Sequence, residues 1–155
     1  FAETGHLCLA TLHANNSNQA LDRIINFFPT ERRAQVLMDL ALNLKGLISQ
    51  RLLPRQAGKG RIAAVEILLN TPLISDLIWK GEVSEIKELM KRSRELGMQT
   101  FDQALFDLYE NQFVTYKDAV RNADSINDLR LQIKLHSKRG RQADLAAGTE
   151  HLTIA

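Results

Sequence analysis

The chain has 155 residues, 45% hydrophobic and 25% charged, with 20 Lys and Arg against 18 Asp and Glu for a formal net charge of +2. That is ordinary globular material, long enough for one modest core and too evenly charged to argue for a nucleic-acid or membrane surface as partner. Its one cysteine, Cys8, excludes a disulfide framework and favours a reducing compartment, and neither a signal peptide nor an apolar run long enough to span a bilayer is present.

The chain opens on Gly5-His6-Leu7-Cys8-Leu9-Ala10-Thr11-Leu12-His13-Ala14-Asn15-Asn16. A continuous apolar run between a glycine and an Asn pair predicts a strand buried on both faces, which needs parallel neighbours and covering helices. No earlier strand stands in the sequence to supply them, and the first residue is Phe1 rather than methionine. Both features lead us to expect a fragment of a longer protein. Cys8, inside the run, is expected to fill core.

Asn16 with Gln19 predicts a capping box, and Ala20, Leu21, Ile24, Ile25 and Phe28 keep helical spacing until Pro29. A second helix is predicted from Thr30, carrying Val36, Leu37, Leu40, Ala41, Leu44 and Ile48. Leu47 to Arg55 and Arg61 to Leu69 predict two strands joined across the glycine-rich turn Gln56-Ala57-Gly58-Lys59-Gly60. From Thr71 onward the pattern is helical. Thr71-Pro72 is a cap followed by proline at the first helical position, and Gly81 stands where a C-terminal glycine belongs. Val83, Ile86 and Met90 carry a helix that Gly97 ends, and Thr100/Gln103, Thr115/Asp118 and Ser125/Asp128 mark three more helix starts. Leu73, Ile74, Leu77, Ile78 and Trp79 form an apolar face too large for one short helix, and so predict packing against a core or a partner. After Leu135 no apolar face is sustained, which predicts a mobile tail. The expected organisation is the end of an α/β domain over residues 1–70, a small all-helical domain over 71–135, and a disordered tail over 136–155.

The stretches AETGHLCLATLHANN, ALDRIINFFP, ISQRLLPR, GRIAAVEIL and NTPLISDLI together resemble the secretion-ATPase superfamily, and within it the PilT/PilU family of type IV pilus retraction ATPases. KRSRELGMQTFDQALFDLYE and RNADSINDLRLQIKLHSKRG look like the PilU branch. The resemblance covers roughly residues 1 to 140, and the opening motif is similar to the family's His box. It implies an α/β fold, the distal part of a RecA-like P-loop ATPase core (strand, helices and β-hairpin) followed by a small all-helical C-terminal domain. It further implies ATP and Mg2+ as cofactors, a homo-hexameric ring, a pilus inner-membrane platform protein and a second retraction ATPase as partners, no nucleic acid, and a cytoplasmic location peripheral to the inner membrane at the pilus base. The expected function is then the C-terminal portion of an ATP-hydrolysing motor for pilus retraction and twitching motility, in the accessory PilU role, because Pro72-Leu73-Ile74-Ser75-Asp76-Leu77-Ile78 lacks the arginine of the AIRNLIRE pattern of PilT.

Parts of the family's ATP site are absent from the sequence. No G-x-x-x-x-G-K-[ST] occurs, since Gly58-Lys59-Gly60 lacks the following Ser or Thr, and the acidic Walker B strand of the family lies upstream of Phe1. Mg2+ is therefore expected to be held mainly by residues upstream, and the chain by itself is expected to be inactive. The candidate catalytic residues are His13, Thr11 and His6. By position alone His13 is a polar residue where a buried strand surfaces; the TLHANN context gives it the His-box role beside the ATP γ-phosphate. As strand residues seven apart, His6 and His13 would stand roughly 23 Å from each other at about 3.3 Å per residue. Ligands of open α/β sheets sit beyond the carboxyl ends of strands, which selects His13, with Thr11 one pleat back, over His6.

Other polar residues receive plainer expectations. Glu66 matches an acidic position of the family, yet a lone carboxylate near a strand end is ordinarily solvated or salt-bridged. Arg51 and Arg55 could approach a neighbouring subunit's phosphate, although spacing does not identify such arginines. Lys87, Lys91, Arg92 and Arg94 are expected on a solvated helix face. His6, His13, His136 and His151 contain no pair at a zinc-ligand spacing, so no metal site is expected from them. Two other functions stay open. One is a pilus-assembly or type II secretion ATPase, which the short RQAGKG connection and single cysteine disfavour because those relatives carry a four-cysteine module there. The other is a non-enzymatic helical module that binds a protein partner.

Overall fold

The computed structural model describes residues 1–139. Within them the helices are α1 (Ser17–Asn26), α2 (Arg33–Asn43), α3 (Pro72–Lys80), α4 (Ile86–Arg92), α5 (Phe101–Glu110), α6 (Tyr116–Arg121) and α7 (Ile126–His136), and the strands are β1 (Gly46–Pro54) and β2 (Arg61–Leu69). Single 3-10 turns occupy Thr30–Arg32, Val83–Glu85 and Arg94–Leu96. β1 and β2 form a two-stranded sheet. The fold is thus mixed α/β, as expected.

The chain divides into two compact units, residues 1–51 with 65–100, and residues 52–64 with 101 onward. This grouping differs from the expected boundary at residue 70. The reason lies in the apolar faces: Ile74 and Ile78 of α3, and Ile86 and Met90 of α4, are fully buried in the same cluster as Leu21 and Ile25 of α1, Leu37 and Ala41 of α2, and Leu68 of β2. Each such side chain stabilises the unit by about 1.5–3 kcal/mol on burial, which α3 and α4 could not obtain from one another alone.

Polar contacts complete the first unit. The Asn70 amide Nδ2 donates to the carbonyls of Ala41 and Leu44, both at 2.9 Å, and Ser75 Oγ donates to Ala41 O at 2.7 Å. These meet carbonyls at the C-terminal end of α2 that the helix leaves without partners. α2 stops at Asn43, and Ile48, expected on that helix, is instead a β1 residue with 78% exposure. Gly81 ends α3 with φ at 74°, in the left-handed region the sequence pattern anticipates.

The second unit is built on Leu53 and Ala64 from the hairpin, with Phe101, Leu105, Tyr109, Val114, Ala119, Leu129 and Ile133 from its helices. Thr115 and Ser125 cap α6 and α7, accepting from the backbone N–H of Asp118 and Asp128 as their spacing predicts. The buried Asp102 adds to this by accepting from the N–H groups of Asp124 at 2.8 Å and Ser125 at 3.1 Å.

The expected tail starts too early. Ser137 is fully buried and donates to Glu110 Oε2 at 2.6 Å, and Lys138 N donates to Glu110 Oε1 at 2.8 Å. The Arg139 guanidinium lies 4.7 Å from the centre of the Tyr109 ring and donates to Tyr109 O at 2.9 Å and Gln56 Oε1 at 2.8 Å. A pattern that seeks apolar periodicity does not register an anchor made of a hydroxyl and a guanidinium. Residues 140–155 of the expected tail lie outside the described residues.

The Ser137 hydroxyl holds the Glu110 carboxyl below its ordinary range, with the Lys138 and Arg139 backbone N–H groups adding to the effect. A lowered folded value means stability present above the usual glutamate range near about 4.3 and lost as pH falls through the folded value. Arg139→Ala should lower unfolding stability by about 1–2 kcal/mol, the sum of a cation–π contact and hydrogen bonds, while leaving the acid-limb loss due to Glu110 in place. Urea titrations of parent and variant between neutral and acidic pH measure both.

Candidate functional site

The segment expected as a strand has no regular secondary structure between His6 and Asn15, and Leu7 and Leu9 are 81% and 89% exposed. Cys8, expected in a core, is exposed too. A strand buried on both faces exists only as part of a ladder, and among the described residues no strand pairs with this run. The separation of His6 from His13 by strand geometry therefore has no counterpart here.

A different distinction between the two histidines emerges. His6 Nδ1 lies 2.9 Å from Thr4 Oγ1, and its ring meets Phe1 edge to face at 5.9 Å, so His6 belongs to the N-terminal turn. Thr11 and His13 are exposed. Ala14 N donates to Leu12 O at 3.1 Å, which makes His13 the central residue of a three-residue turn. His13 is not among the positive-φ residues, so this is the common inverse γ form. Immediately after it the chain is fastened at three successive residues.

Asn15 is held first, its carbonyl accepting from Arg51 Nη2 at 3.2 Å and its N–H donating to Gln19 Oε1 at 3.2 Å. Asn16 has extended backbone and its Oδ1 accepts from Gln19 N at 2.9 Å, so the N-cap half of the predicted capping box forms, while the Gln19 side chain accepts from Asn15 N rather than from Asn16 N. Ser17 N donates to Glu66 Oε1 at 2.7 Å, and Glu66 Oε2 is 3.3 Å from Lys87 Nζ. Glu66 is fully buried, on the same face of β2 as Ala64 and Leu68. The carboxylate complements the N-terminus of α1, and its second oxygen has the ammonium. Ser17 Oγ and Asn18 Oδ1 are buried at this junction without a hydrogen-bond partner.

Of the two expectations for Glu66, the salt-bridged one holds, with the pair buried rather than at the surface, while Lys87, expected on a solvated face, turns its ammonium inward with 20% side-chain exposure. The parity of β2 carried the signal, since a glutamate two residues from both Ala64 and Leu68 shares their buried face. Lys87 gave no such signal from its spacing. Arg51 contacts the backbone of the same chain rather than identifying itself as a trans-acting group.

The fit of ATP and Mg2+ is limited. Gly58 and Gly60, with φ of 82° and 103°, serve the hairpin turn, where Arg55 N donates to Gly60 O. Among the described residues no cluster of three or more His, Cys, Asp or Glu could hold a metal ion. What is present is an exposed imidazole and hydroxyl ahead of a fastened helix start, suited to the edge of a phosphate site and not to its cradle. Among the described residues no helix is long and apolar enough to cross a membrane.

Residues 1–61 match the family of Type II/IV secretion system proteins. The type IV pilus ATPase PilU of Pseudomonas aeruginosa is 67% identical over 138 residues, covering 89% of this chain and 36% of that protein. The type IV pilus retraction ATPase PilT of the same organism is 37% identical over 122 residues, covering 79% and 35% respectively. The crystal structure of the pilus retraction motor PilT with bound ADP superposes with a TM-score of 0.74 at 35% identity, over 83% of this chain and 36% of that one. The fold is that of a secretion ATPase. The chain belongs to the PilT/PilU family of type IV pilus ATPases, and it spans about a third of the length of the curated relatives it matches.

The cap at Asn16 is testable by itself. Asn16→Ala removes the acceptor for Gln19 N and should cost about 0.5–2 kcal/mol, seen as a lower urea midpoint with an unchanged slope. An unchanged midpoint would show that Glu66 and Gln19 hold the helix start without it.

Proposed function

We propose that this chain is the C-terminal portion of a hexameric, ATP-hydrolysing motor that drives type IV pilus retraction, in the accessory PilU-type role. The observation that carries the proposal is the 67% identity to PilU across 138 residues, 89% of this chain. The ring acts on the inner-membrane base of the pilus, from the cytoplasmic side, alongside a second retraction ATPase. ATP supplies the transferable phosphoryl group, and Mg2+ and the phosphate cradle belong mainly to residues outside this chain.

This chain's own part lies at His13, with Thr11 beside it in sequence. An imidazole on a tight turn can donate a hydrogen bond to a phosphoryl oxygen or to the attacking water. Because residues 15–17 are fastened to β1 and β2, a displacement of His13 is passed to α1 rather than absorbed by slack chain. His6, tied to Thr4 and Phe1, is assigned to assembly or stability.

Two measurements test the proposal. Phosphoryl transfer depends on positioning and charge stabilisation by the P-loop and magnesium carboxylate, so the 155-residue chain alone should show no ATP turnover above buffer. In the intact protein, His13→Ala should lower turnover by about 10²–10⁴-fold while nucleotide affinity and hexamer fraction persist, and His6→Ala should change the hexamer fraction or melting temperature instead. Turnover by the isolated chain, or a fully active His13→Ala enzyme, would sink the assignment.

A further inference from the structure

We propose that Glu66 is a positioning residue for His13: a buried carboxylate that, with Arg51, clamps Asn15–Ser17 from two sides and so fixes where the imidazole stands. The proposal rests on the role given to His13 above and deepens it. Glu66 is fully buried in the apolar strand Ile62-Ala63-Ala64-Val65-Glu66-Ile67-Leu68, a place where an apolar side chain would ordinarily be the more stable choice. Its Oε1 accepts from Ser17 N at 2.7 Å while Arg51 donates to Asn15 O at 3.2 Å, so one contact takes an N–H and the other a carbonyl of the same short stretch.

Helix stability alone does not account for this junction. Asn16 already caps α1 through Gln19 N, and two buried polar atoms in the first turn of α1, Ser17 Oγ and Asn18 Oδ1, are left without partners. Features that each cost stability and gather at one place mark a site kept for function. The link to His13 is short. Two residues of extended chain span at most about 7 Å, and the Ala14 N to Leu12 O hydrogen bond at 3.1 Å shortens the path further by closing the turn around His13. The imidazole therefore inherits the placement of the clamp. Lys87 Nζ, 3.3 Å from Oε2, pairs with the carboxylate's other oxygen.

The test uses the intact protein with Glu66→Leu, Glu66→Gln and His13→Gln, alone and combined, reading kcat, ATP affinity and hexamer fraction. Glu66→Leu should lower kcat by roughly 10- to 100-fold, the scale of an ångström-sized misplacement, with ATP affinity within about twofold and the hexamer intact. Glu66→Gln, which keeps an acceptor for Ser17 N, should recover part of that loss. In the His13→Gln background, Glu66→Leu should add less than about twofold, because residues that act through one another do not add. Unchanged kcat in both Glu66 variants, or a loss that multiplies in full on His13→Gln, overturns the inference. Should Glu66→Leu fail to assemble, Arg51→Ala tests the other side of the clamp by the same cycle, and additivity there overturns it equally. A fully active His13→Gln enzyme refutes the assignment of His13 itself, an outcome distinct from inert Glu66 variants in an enzyme that needs His13.

Discussion

A carboxylate on the core side of a strand must have its charge met from inside the fold, and the first unit is arranged to do so. Glu66 projects from β2 on the face of Ala64 and Leu68, and the N-terminus of α1 and the ammonium of Lys87 on α4 come to it. Removing either partner would leave a buried charge with too little compensation, so the three elements are held to one another by an electrostatic demand as well as by apolar packing. The apolar cluster of Leu21, Ile25, Leu68, Ile74, Ile78 and Ile86 supplies cohesion without direction. The carboxylate adds a directional contact, Ser17 N donating to its Oε1 at 2.7 Å.

The second unit uses the same device. Asp102, also buried, accepts from the N–H groups of Asp124 and Ser125 at the start of α7. There the helix start leads to no candidate reactive group, and the arrangement is accounted for by complementing the helix dipole and its unpaired donors. Comparison of the two acids isolates what is special about Glu66. Its helix start follows two residues after the turn centred on His13, which is why the proposed positioning role attaches to Glu66 and not to Asp102.

Much of the fold was legible because the relevant signals are local. The Arg61–Leu69 strand and its glycine turn, the Thr115 and Ser125 caps, and the glycine at the end of α3 all follow from backbone preferences within a few residues. The opening run failed as a strand because its composition reports a preference for burial and says nothing of whether a partner strand is within reach. The grouping of α3 and α4 with α1 and α2 was hidden for a related reason: apolar spacing shows which face is buried and not against what. Of the site, His13, Thr11 and His6 came from a motif, whereas Glu66 required the parity of β2, and Lys87 and Arg51 required three dimensions.

The exposed opening run also bears on how the chain behaves in solution. Leu7-Cys8-Leu9-Ala10-Thr11-Leu12 is a six-residue window without charge or proline, with Leu7 and Leu9 largely open to water and without a partner strand among the described residues. Such a window is a template for intermolecular β-pairing. Handled as an isolated polypeptide, the chain carries an exposed apolar segment whose self-association rises with concentration and is suppressed by any segment that pairs with it. Solubility thus becomes a gauge of whether the His-box run has found its neighbours, before any chemistry is measured.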